Sequence, residues 1–78
     1  VTDARLEASA RLHDEAAAEL ERALGHVRVA AQHFRDGEVP RGAAHAWAAR
    51  GHLSKAESLL DEQAREHAGR SRLPDDRS

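Results

Sequence analysis

Cysteine, methionine and tyrosine are absent from this 78-residue chain, and it holds one phenylalanine, one tryptophan, two prolines and one lysine, Lys55. Each scarcity excludes something. Without cysteine there is no disulfide, no thiolate metal site and no thiol nucleophile. Val1, Val27, Val29 and Val39 are the only β-branched aliphatic residues. With so few aromatics beside them, the chain lacks the side chains from which strands are built. No glycine-rich phosphate loop, HExxH or ExxH pattern occurs, so nucleotide, zincin and di-iron chemistry find no template. The longest apolar run falls far short of the roughly 20 residues of a membrane span. No signal-peptide pattern opens the sequence, and a cytoplasmic protein of bacterial type is expected. The formal charge is −2 with both signs mixed along the chain. This disfavours nucleic acid and anionic lipid as partners.

What is present forms helices. Seventeen alanines and eleven arginines join leucine, glutamate and glutamine, so the expected class is all-α. One small domain of this length draws no more than roughly 3–5 kcal/mol from its own core. Additional support must come from a partner chain or from a metal site built on histidine and carboxylate.

"RDGEVPR" (35–41) is the strongest internal turn signal. Gly37 suits the left-handed position after a helix, and Pro40 suits the first turn of the next. Asp3 or Thr2 can cap the start of the first helix. The spacing predicts helix 1 over about 3–35, helix 2 over about 39–68 and a disordered tail from Gly69 to Ser78. Two such helices form an antiparallel hairpin roughly 45–50 Å long.

Leu6, Ala10, His13, Ala17, Leu20, Leu24, Val27, Ala31 and Phe34 follow an unbroken 4,3 spacing, which predicts the seam of helix 1. Helix 2 answers with Ala46, Ala49, Leu53, Ala56, Leu60, Gln63 or Ala64, and His67. A second stripe of small residues, Ser9, Ala16, Ala23 and Ala30, runs beside the first. With Leu12 on helix 1 and His45, Ala48, His52 and Leu59 on helix 2, it leaves a flank for a second hairpin. Leu12, Ala16, Ala23, Ala30, Ala48 and Leu59 are therefore the expected dimer contacts, and a four-helix homodimer the expected assembly. His13, within the predicted seam, reads as a polar specificity device or a partner of Gln63 or His67.

Two partial likenesses accompany this reading. "HFRDGEVPRGAAHAWA" resembles the helix-turn-helix of a tetratricopeptide repeat, which would imply shorter helices broken at Gly25 and Gly51. The pattern of a full repeat of roughly 34 residues is missing. A dimer of helical hairpins is also similar in architecture to the plasmid copy-number regulator Rop, which would imply RNA binding through Arg28, Arg35 and Arg41 at the turn end.

The histidines carry the chemistry the sequence offers. His26 and His33 are seven residues apart, as are His45 and His52. A turn centred near 38–39 places His33 level with His45 and His26 level with His52, the two levels about 10.5 Å apart. Helical-wheel geometry puts His26 and His33 near the rim of the hairpin and His45 and His52 nearer its seam, the rings packed on alanines. As a ligand set they would bind a divalent transition metal such as zinc, two ligands per level and four across a dimer. Protonating all six histidines would add six charges to the formal −2, giving +4. An assembly with crowded imidazoles would then weaken between about pH 6.5 and 5. Trp47 reads either as a ring covering the hairpin edge, stacked near Arg28 or Arg35, or as an anchor for a partner protein, and Trp47, Arg28 and Arg35 are the candidate partner-binding residues. No catalytic constellation is apparent. The expected function is non-enzymatic: a homodimer that binds another protein as adaptor, regulator or subunit, with metal binding by His26, His33, His45 and His52 as the alternative.

Overall fold

Asp3 starts the first helix. In a computed structural model describing residues 3–74, its carboxylate accepts the Arg5 N–H at 2.8 Å and occupies the N-cap of α1 (Ala4–Arg35). This satisfies one of the donors left open at a helix start, and Glu7 places negative charge beside the same positive end. Thr2, the other candidate cap, lies outside the described residues, as do positions 75–78 of the expected tail.

The turn is short, with three residues between the helices. Asp36 ends α1, and Gly37 adopts φ 76°, which glycine enters without a Cβ penalty. The Glu38 N–H reaches back to the His33 carbonyl at 2.8 Å and the Gly37 N–H to that of Phe34 at 3.1 Å. Those two bonds are the Schellman closure. The next helix, α2 (Val39–Arg70), begins at once, with Pro40 in its first turn. It runs two residues beyond the expected end and includes Gly69; Ser71 closes it by donating its N–H to the His67 and Ala68 carbonyls.

Both helices are continuous for 32 residues, so Gly25 and Gly51 do not break them, and the short helices implied by the tetratricopeptide likeness are not formed. The molecule is a plank measuring 60 × 34 × 12 Å. Its radius of gyration is 18.3 Å, against about 11.5 Å for a globular chain of this length.

The seam between the helices corrects the heptad expectation. Its buried residues are Ala16, Ala23 and Ala30 of α1 against Gly42, Ala49 and Ala56 of α2. Beside this small-residue column lies a second, half-buried one: Leu12, Glu19, His26 and His33 from α1, with His45, His52 and Leu59 from α2. The small residues assigned to a dimer flank are thus consumed within one hairpin. The stripe expected to form the seam points outward, with Leu6, Leu20, Leu24, Val27 and Phe34 all exposed. Of the α2 expectation, Ala49 and Ala56 are buried and Leu53 and Gln63 half-buried, while Ala46, Leu60, Ala64 and His67 are exposed. His13 is exposed too, and its ring nitrogen donates to the Ser9 carbonyl of its own helix at 2.7 Å instead of meeting Gln63 or His67.

Sterics explain the exchange. Alanine and glycine facing one another bring helix axes to the short end of the usual 8–10 Å range, at about 8 Å. Leucine has no room in that gap. Phe34 shows how close the approach is: a Cβ added at Gly42 would lie 2.8 Å from the tip of its ring.

Alanine substitution should therefore separate the glycines. Gly25 and Gly51 have open space where a Cβ would go. Gly25→Ala and Gly51→Ala are each expected to stabilise the hairpin by about 0.5–1 kcal/mol. Gly42→Ala is expected to gain nothing, because Phe34 must swing aside. Ala49→Leu should cost about 1–3 kcal/mol by overpacking. Thermal unfolding followed by circular dichroism checks all four, and a stabilised Gly42→Ala would show that the ring does not constrain the seam.

Candidate functional site: a ladder of histidines

The tight turn also decides where the histidines meet. Chain reversal is centred at Gly37, between Arg35 and Val39, rather than at 38–39. Rings expected to be level are instead staggered, and each helix fills the gaps of the other. The order along the hairpin is His33, His45, His26, His52. Successive ring centroids lie 5.3, 5.2 and 5.4 Å apart, with interplanar angles of 19°, 29° and 12°. These are offset-stacked separations. The four imidazoles thus sit within the hairpin seam, half-buried, and not on its rim.

Each end of the stack is closed by a carboxylate. The His52 ring nitrogen Nδ1 donates to Glu19 Oε2 at 2.7 Å, and His33 Nδ1 donates to Glu38 Oε2 at 3.1 Å. Outside these, Arg22 bonds Glu19 at 2.8 Å and Arg41 bonds Glu38 at 3.1 Å. In the middle, His26 Nδ1 and His45 Nδ1 approach to 3.0 Å. One of the pair must donate and the other accept, so this contact requires a neutral imidazole on at least one side. The whole reads Arg–Glu–His–His–His–His–Glu–Arg, alternating between helices except at its two ends.

Glu19 pairs with Arg22 one turn along its own helix, yet its side chain is only 13% exposed. The His52 hydrogen bond holds its carboxyl below the ordinary value of 4.5; partial burial opposes this, and Lys55 and Arg22 add to the lowering. Beside it a shallow depression of about 560 Å³ is lined by Glu15, Arg22, Ser54, Lys55 and Leu59 among others.

The residues proposed from sequence for partner binding do not converge. Arg28 and Arg35 are exposed on the side of α1 turned away from α2, and Trp47 occupies the corresponding outward position of α2. Trp47 is 77% exposed and shares a groove with Phe34, Ala43, Ala46 and Arg50. Arg41 is engaged by Glu38. The dimer-flank residues Leu12, Ala48 and Leu59 are half-buried at the hairpin seam or its edge. Among the described residues no three histidine, aspartate or glutamate side chains converge on one point as a metal cage, and no helix is long and apolar enough to cross a membrane.

What sequence reasoning missed was Glu19 and Glu38 as ends of the ladder. The signal was available: Glu19, His26 and His33 are spaced by seven, and so fall on one column.

A carboxylate held below its unfolded value stabilises the fold above that value, and the contribution disappears as pH falls through the lower folded-state value. Acidification from above 4.5 is therefore expected to lower the thermal midpoint of the wild-type chain more steeply than that of Glu19→Gln. Parallel pH profiles for the two proteins, read by circular dichroism, would show that the His52 contact contributes no linkage.

The chain matches no known family, no curated protein and no solved structure.

Proposed function

We propose that this chain is a non-enzymatic interaction module that pairs with a second copy into a four-helix bundle and, as that dimer, engages a partner protein. The observation that carries the reading is the apolar face left open on the small-residue side of the hairpin. Leu6, Leu20, Leu24, Val27 and Phe34 of α1 lie beside the alanine column, and Val39, Ala46, Leu53 and Leu60 lie beside it from α2; all but the half-buried Leu53 are exposed. Val27 alone is 52% exposed and Leu6 64%.

Area supports a second copy as the occupant. The chain exposes 6172 Å², whereas a compact monomer of 8.5 kDa exposes about 4,700 Å². The excess of about 1,500 Å² is more than the roughly 800 Å² each partner contributes to a standard interface. A two-fold pairing sets like surface against like surface, and the large side chains of this stripe are aliphatic or aromatic. Trp47 then stands at the rim of the bundle, beside Arg50, where an exposed indole serves a different protein.

Sedimentation of the untagged chain across a concentration series should give a dimer. Leu24→Glu, which places charge in the middle of the face, should give a helical monomer. A cooperatively folded wild-type monomer throughout the series would sink the proposal. Trp47→Ala is expected to leave the dimer intact and to abolish capture of the partner protein; loss of the dimer would instead assign the indole to the interface between copies.

A further inference from the structure

The opposite side of the hairpin is a separate site, because the His26 and His45 Nδ1 atoms have the separation of two ligands on one ion. Two imidazole nitrogens on one ion, with bonds of about 2.0–2.1 Å, lie about 2.9 Å apart at a right angle and about 3.4 Å apart at the tetrahedral angle. The observed Nδ1–Nδ1 separation is 3.0 Å, between side chains 19 residues apart on different helices. We propose that His26 and His45 clamp one divalent first-row transition ion of the class that favours imidazole, with zinc and nickel as the test cases, the ion taking the place of the hydrogen between the two Nδ1 atoms while that hydrogen moves to Nε2 of the donor ring.

Three features of the surroundings fit that ligand. Among the described residues neither ring is bonded to a carboxylate, so both Nδ1 lone pairs become available once the donor ring moves its proton from Nδ1 to Nε2. The rings are held on both sides: His33 stacks on His45 at 5.3 Å and His52 on His26 at 5.4 Å. These outer rings are in turn fixed by Glu38 and Glu19. The donor set is nitrogen alone, which disfavours magnesium and calcium, both of which take oxygen ligands.

Among the described residues no third histidine or carboxylate converges on the pair, so water fills the other coordination positions. Such a site exchanges its ion readily, unlike a closed structural zinc cage. Because it ties α1 to α2 across the seam, occupancy stabilises the hairpin by mass action. The clamp faces away from the apolar stripe and does not depend on self-association.

The test is thermal unfolding of the full, untagged, metal-free chain titrated with zinc chloride, then nickel chloride, with magnesium chloride as control. Histidine nitrogen spectra are recorded alongside the zinc titration. Zinc and nickel are expected to raise the midpoint and saturate at one ion per chain, while magnesium leaves it unchanged. The zinc spectra should show Nδ1 of His26 and His45 as the coordinated atoms. His26→Gln and His45→Gln should lose the rise, and His13→Gln should keep it. Leu24→Glu, built to be monomeric, should also keep it. Absence of a rise in the wild type overturns the proposal, as does a rise undiminished in both ladder variants. Coordination at His13 or His67 would do the same, and so would loss of the effect in Leu24→Glu. Should the ladder variants fail to fold, the wild-type nitrogen spectra decide the assignment.

Discussion

Close approach between two alanine- and glycine-lined helix faces governs the rest of this structure. Ala16, Ala23 and Ala30 against Gly42, Ala49 and Ala56 leave no space for larger side chains between them, and the Phe34 ring packs on the column only where Gly42 has no Cβ. Each buried methyl removes little apolar area from water, so the driving force per residue is small. The gain lies in many backbone and Cβ contacts at short range. Such contacts form only if the opposing surface is small along its whole length. The Schellman turn at Gly37 supports this by reversing the chain in three residues, which fixes the register from the first turn onward.

Two faces of opposite character follow from that column. On one side the second seam position has room for planar rings, and staggered imidazoles fill it as a stack ending in carboxylates. Polar side chains are tolerated there because each finds a partner: among the described residues, no buried side-chain nitrogen or oxygen lacks a hydrogen bond. On the other side the large aliphatic residues are displaced outward and await a surface of their own. The proposed self-association and the proposed ion clamp therefore belong to different faces of one plank, and each can operate without the other.

The helices themselves were legible because local chemistry specifies them. Asp3, Gly37 and Pro40 act through their own backbone positions, and the alanine-rich composition leaves no competing strand. The seam was harder to read. Leu6 to Phe34 make the more hydrophobic heptad, and hydrophobicity is what a heptad search weighs. Here the helices met through the neighbouring stripe, since short-range packing of small residues excluded the bulky one. Glu19 illustrates the same difficulty: next to Arg22 it resembles a surface ion pair, yet it lies on the histidine column and closes the ladder through His52.

Sequence by itself thus determined two long helices, the position and type of the turn, and the absence of thiol chemistry, all properties set within a few residues of chain. Tertiary structure decided which of two parallel stripes became the inside. It also decided whether the histidines would be level or interleaved, and which nitrogen atoms would lie 3.0 Å apart. Those outcomes depend on a half-heptad shift of one helix against the other, fixed jointly by the reach of the turn and the size of every side chain along the contact, which no single segment encodes.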